Sequence, residues 1–156
     1  MLLNYKVVKE LKKKKLKVSV AESCTGGLLS GAFNSVSGSS NVFTLGVVAY
    51  SNKSKNSILK VPKKNIKKYG AVSEKVCLSM VNNLSKISKS HICISITGIA
   101  GPSGGSRKKP VGLVYISIKK GRKINLIKCL FKNNGREYIQ KAAVNKSLKL
   151  ILSFIK

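Results

Sequence analysis

The apolar positions along the chain change period several times, and each change marks an element. Leu3, Val7, Val8, Leu11 and Leu16 approximate a helical stripe that ends in the cluster Lys12–Lys15. Val18 to Ala21 alternates as a short strand, and Ser23-Cys24-Thr25-Gly26-Gly27 forms a glycine turn. Leu28, Leu29, Ala32 and Phe33 return to helical spacing, and Val42 to Tyr50 reads as a strand. Asn52 to Leu59 is then a short helix with Asn52 as its N-cap and Pro62 as its stop. Lys63 to Tyr69 is closed by Gly70, and Ser73-Glu74 opens a helix through Val76, Met80, Val81, Leu84 and Ile87.

Ile92 to Ile96 is a buried-strand candidate that feeds a glycine-rich loop from Thr97 to Ser106. Val111–Ile118 and Lys123–Leu130 predict a β-hairpin around Lys120-Gly121-Arg122. A last helix runs from about Arg136 to Ile155, with Ile139, Ala142, Ala143, Leu148, Ile151 and Leu152 inward. Strand and helix alternate early and a hairpin comes late. That order predicts an α/β fold, a three-layer α/β/α sandwich with one mixed sheet. At 156 residues, the expectation is a single domain over 1–156. Ligand sites in such sheets lie at strand ends, where the glycine turns fall.

Composition narrows the function classes. No apolar run approaches the roughly 20 residues of a membrane span, and the first residues lack a signal-peptide h-region. The expectation is a cytoplasmic protein with no membrane partner. Cys24, Cys77, Cys93 and Cys129 are scattered, His91 is the only histidine, and there is no aspartate. That inventory argues against a metal site and reads as four free thiols.

The net charge of +27 raises nucleic acid as a partner. Nearly all the cations are lysines, the exceptions being Arg107, Arg122 and Arg136, and they fall on every predicted element. Asparagine and isoleucine are abundant too, as AT-biased codon usage would produce. A nucleic-acid module also wants aromatics beside its cations, and here Tyr and Phe are dispersed and Trp is absent. Such a module stays as a disfavoured alternative.

The candidate chemistry is a serine, a tyrosine and a lysine, Ser40, Tyr50 and Lys55, on one strand-turn-helix unit. A hydroxyl activated by lysine is one of the few covalent chemistries this residue set supports. Spacing alone does not bring the three together: each has an ordinary reading as turn serine, strand-end aromatic and surface lysine. The two glycine loops could present backbone N–H groups to an anion, although neither is a Walker A or G-x-G-x-x-G fingerprint.

Six segments taken together carry a resemblance. They are Ala21-Glu22-Ser23-Cys24-Thr25-Gly26-Gly27, Gly38-Ser39-Ser40, Val48-Ala49-Tyr50-Ser51-Asn52, Gly70-Ala71-Val72-Ser73-Glu74, Thr97-Gly98-Ile99-Ala100-Gly101-Pro102 and Lys109-Pro110-Val111-Gly112. In this order, over residues 5–155, the chain resembles the CinA C-terminal domain family, in its stand-alone (PncC-type) form. The resemblance implies a nicotinamide-nucleotide amidase, which hydrolyses nicotinamide mononucleotide to nicotinate mononucleotide and ammonia. It implies Ser40, Tyr50 and Lys55 as the catalytic set. Thr25, Gly26, Gly27, Thr97, Gly98, Gly101, Gly104, Gly105 and Arg136 would bind the substrate. No metal or other cofactor is implied; the partner is the mononucleotide, and self-association into a homo-oligomer is left open.

In that scheme Ser40 attacks the carboxamide carbon and Lys55 accepts its proton, directly or through Tyr50. At a reference pKa of about 10.4, only about one lysine in 2,500 is neutral at pH 7, so the site must destabilise the ammonium. The chain departs from the family pattern in places. Gly135 replaces the aspartate before Arg136, Gln140 stands at a second arginine position, and Lys53 at a frequent glutamate. A degenerate member that binds nucleotide without hydrolysis is the alternative these departures motivate.

Overall fold

The computed structural model describes all 156 residues. Five strands form one sheet: β1 (Val18–Glu22), β2 (Phe43–Val48), β3 (Ile92–Gly98), β4 (Leu113–Lys120) and β5 (Lys123–Leu130). Their spatial order is β2-β1-β3-β4-β5. β1 runs parallel to both β2 and β3, whereas β3–β4 and β4–β5 are antiparallel. The sheet is mixed, as the element order predicts, and the late hairpin supplies its antiparallel half.

Six helices cover it: α1 (Leu3–Lys13), α2 (Leu28–Asn34), α3 (Asn52–Ser57), α4 (Lys63–Tyr69), α5 (Glu74–Ser88) and α6 (Arg136–Phe154). One face buries Val18 and Val20 of β1, Ile92, Ile94 and Ile96 of β3, and Val114, Ile116 and Ile118 of β4 against α1, α2 and α6. The opposite face is smaller and packs Ala21 and Cys93 against Met80, Val81 and Leu84 of α5, with Leu59 and Val61. Period-two alternation explains the division, since residues i and i+2 of a strand share a face. No helix is long and apolar enough to cross a membrane.

Three local details differ from the sequence expectation. Ser51, not Asn52, caps α3: its hydroxyl accepts the Ser54 N–H at 3.0 Å, and Ser54 Oγ accepts the Ser51 N–H at 3.1 Å. This reciprocal pair leaves Asn52 as the first helical residue. The α5 stripe ends at Leu84, and Ile87 is half exposed. β2 is shorter than Val42–Tyr50, because Ser39–Asn41 turn as a 3₁₀ helix before it.

Candidate active site

Parallel pairing sets which loops meet. The carboxyl ends of β1, β2 and β3 share one edge of the sheet, and two antiparallel steps return the end of β5 to that same edge. The segments leaving these four strands carry Ser23, Tyr50, the loop from Ile99, and Arg136 at the start of α6. They surround a cavity of about 310 Å³, near the lower end of small-molecule sites.

At its floor is Lys55, only 2% exposed. The capped start of α3 turns this side chain under the strand ends. Nζ donates to Ser23 Oγ at 2.9 Å and to the Ala49 carbonyl at 3.0 Å, and lies 3.5 Å from the Tyr50 carbonyl. Continued sheet pairing pins these partners, with Ser23 N–H donating to Ile96 O at 3.1 Å and Ala49 N–H to Glu22 O at 2.9 Å. No carboxylate pairs with the amine, for the protein's one ion pair is Lys141–Glu137 on the surface. Burial therefore pushes the Lys55 pKa below its ordinary value.

The neutral amine fits the geometry. Once deprotonated, Nζ would keep two N–H groups for the Ala49 and Tyr50 carbonyls and turn its lone pair to the Ser23 hydroxyl. Cys24 also lines the cavity, but burial pushes its thiol up to about 12, so it stays protonated and is a poor nucleophile. The N–H of Cys24, which lines the cavity, donates to no other residue, and this leaves a backbone donor beside the Ser23 hydroxyl.

Arg136 spans the mouth. Nη1 donates to the Gly101 carbonyl at 2.7 Å and Nη2 to the Tyr50 hydroxyl at 2.6 Å. The Tyr50 ring is largely exposed, and its hydroxyl turns to Arg136 rather than to Lys55. One turn further along α6, Gln140 Nε2 donates to the Cys24 carbonyl at 2.9 Å. The residue at the altered arginine position thus holds the loop that carries Ser23.

The serine expectation needs correction. Ser40 is exposed and precedes β2, whereas Tyr50 and Lys55 follow it. A strand of this length spans roughly 17–20 Å, so Ser40 lies at the opposite edge of the sheet and cannot reach Lys55. The serine hydroxyl that meets Lys55 is that of Ser23, 2.9 Å from Nζ. Its signal was in the chain order, since a serine between a parallel strand and a glycine turn sits at the carboxyl end by construction.

Among the other expected residues, Thr97, Gly98, Gly101, Gly104 and Arg136 line the cavity, but Thr25, Gly26, Gly27 and Gly105 do not. Thr25 turns its hydroxyl inward to Glu22 at 2.7 Å, and Gly27, at φ +99°, makes the sharp entry into α2. That glycine turn shapes the loop instead of lining the cavity. Glu22, Ser23 and Gln140 are the residues that the sequence reading left without a role.

Comparison with known proteins agrees on the family. The CinA C-terminal domain matches residues 2–155. A CinA-like protein of Prochlorococcus marinus (strain MIT 9312) is 48% identical over 151 residues, 94% of this chain and 36% of that protein. The chain spans about a third of the length of the curated relatives it matches. Among solved structures, the competence/damage inducible protein CihA of Agrobacterium tumefaciens superposes with a TM-score of 0.96 at 35% identity, covering 99% of this chain and 94% of its own. A competence-damaged protein (CinA) superfamily protein from Enterobacter cloacae gives 0.92 at 29% identity, covering 99% and 90%.

Proposed function

The chain belongs to the CinA C-terminal domain family, and we propose that it is an amidohydrolase that releases ammonia from nicotinamide mononucleotide, with Ser23 as nucleophile and Lys55 as base. The observation that carries this reading is the buried Lys55 amine, without a carboxylate partner, 2.9 Å from Ser23 Oγ on the floor of a strand-end cavity. A desolvated lysine hydrogen-bonded to a hydroxyl is an arrangement suited to covalent catalysis.

The reaction runs in two halves. Neutral Lys55 takes the Ser23 proton as Oγ bonds to the carboxamide carbon, and the N–H of Cys24, which lines the cavity, stabilises the oxyanion. Donors of this kind are worth roughly 3 kcal/mol each. The tetrahedral adduct collapses when the Lys55 ammonium protonates the departing nitrogen, which leaves as ammonia and yields a Ser23 ester. Water then attacks that ester while Lys55 takes one of its protons. Cleavage of the ester returns the proton to Ser23 Oγ and releases the carboxylate product.

Arg136 and Tyr50 stand at the rim, where the nucleotide's phosphate would meet the guanidinium. Arginine is suited to bidentate phosphate contacts, and exchanging two neutral acceptors for a dianion favours the bound state.

The test is ammonia release from nicotinamide mononucleotide by the purified protein and by Ser23→Ala. The expected result is turnover by wild type and its loss in the variant with the fold intact. Full turnover by Ser23→Ala refutes the nucleophile. Binding of the mononucleotide without ammonia release refutes the enzymatic reading and leaves a nucleotide-binding member of the family.

A further inference from the structure

Glu22 is the one buried carboxylate of the protein, 0% exposed and immediately before Ser23. Its parity with Val18 and Val20 points it toward α2. It accepts four hydrogen bonds: the Thr25 hydroxyl at 2.7 Å and the Leu29 N–H at 2.8 Å on Oε1, and the Ser30 N–H at 3.0 Å and the Ser30 hydroxyl at 2.7 Å on Oε2. An ionised carboxylate offers about four lone-pair sites, so this one is saturated. Two of its donors are orphan N–H groups of the first turn of α2, which has no side-chain cap of its own.

We infer that Glu22 is a positioning residue for the amide-hydrolysing site: it ties both ends of the Ser23–Gly27 loop together and so holds Ser23 Oγ against Lys55. The inference rests on the Ser23–Lys55 reading above. Strand β1 fixes the backbone of Glu22 through pairing on both sides. The carboxylate fixes the start of α2, and Ser23 to Gly27 hang between these two anchors. A misplacement of about 1 Å at a reacting group can cost on the order of 100-fold in rate.

Saturation has a second consequence. With every lone pair engaged by the loop and α2, the carboxylate has none left to pair with the Lys55 ammonium. The loop gains a charged clamp while the base stays free to lose its proton.

The test is Glu22→Gln, assayed at a temperature where a thermal melt shows it fully folded. Glutamine keeps the shape but turns an amide N–H toward the Ser30 N–H, so the clamp loses one side. The expected result is a kcat lower by about 10- to 100-fold, since the misplacement is partial, with KM within about threefold and the pH midpoint of kcat unchanged. A purely structural carboxylate would lower the melting temperature and leave kcat of the folded variant intact; that result overturns the inference. A pH midpoint moved down by a unit or more also overturns it, because Glu22 would then act on Lys55 by its field. Should Glu22→Gln fail to fold, Thr25→Val removes one donor without leaving a charge unpaired. A several-fold fall in kcat at unchanged KM supports the clamp, and wild-type kcat refutes it. Ser23→Ala in the same assay separates the layers. An active Ser23→Ala sinks the site reading itself, whereas an inactive Ser23→Ala beside a fully active Glu22→Gln sinks only the positioning role.

Discussion

Replacing Lys55 is the sharpest perturbation of the site, because nothing nearby can substitute for it. Its Nζ is the only basic nitrogen bonded to Ser23 Oγ. His91 precedes β3 at the far edge of the sheet, where its Nδ1 accepts the Lys17 N–H at 2.8 Å. Glu22 is saturated by four donors. Lys55→Met keeps the length and volume while removing the base, and Lys55→Arg keeps the charge but cannot lose its proton at any working pH. Positioned general-base catalysis contributes 10²- to 10⁴-fold, or about 3–5 kcal/mol, so both variants should lose that much in kcat. The Met variant leaves the Ala49 carbonyl without its side-chain donor, a cost of about 1–3 kcal/mol, partly offset by relief from burying a polar amine. The assay is steady-state ammonia release across pH, with circular dichroism melts to verify folding. Wild-type kcat should rise with pH and reach half its maximum below the ordinary lysine value of about 10.4. A Lys55→Arg variant within tenfold of wild type would refute the proton-transfer role and reduce Lys55 to an electrostatic one.

Further outcomes follow from the same geometry. Ser40→Ala should retain turnover within about twofold and melt unchanged, because an exposed serine at the far edge contributes little; loss of ammonia release would contradict its placement away from the site. Arg136→Ala removes the contacts to Gly101 and Tyr50 and should raise KM for the mononucleotide about 10- to 150-fold, with kcat within a few-fold; an equal fall in turnover of the phosphate-free riboside would place Arg136 at the reacting end. Stability should also carry the mark of Lys55. Its folded pKa is depressed, so between that value and about 10.4 the unfolded chain binds more protons and stability rises with pH. Denaturant titrations of wild type and Lys55→Met should differ by this slope, and parallel pH dependences would show that Lys55 is not buried as a neutral amine.

The order of elements, the mixed sheet and the family were legible in the chain. They depend on local period, on turn residues such as Gly27 and Gly70, and on contiguous motifs. Period two in β3 and β4 and the helical stripes of α1 and α5 state which side faces inward wherever those elements end up. Partners in space are another matter. Ser40 was expected beside Lys55 on the resemblance, yet strand β2 (Phe43–Val48) lies between Ser40 and Tyr50, and a strand carries its two ends apart. Ser23 precedes Lys55 by 32 positions, and parallel pairing of β1 with β2 brings them to one edge. Arg136 and Gln140 arrive from a helix more than 100 residues beyond Cys24. Glu22 carries no sign in the sequence of what it does, since four donors converge on it only once α2 packs against β1. Local propensity is written residue by residue, but the base, its hydroxyl and the clamp behind them depend on strand register and direction, which exist only when the whole sheet has formed.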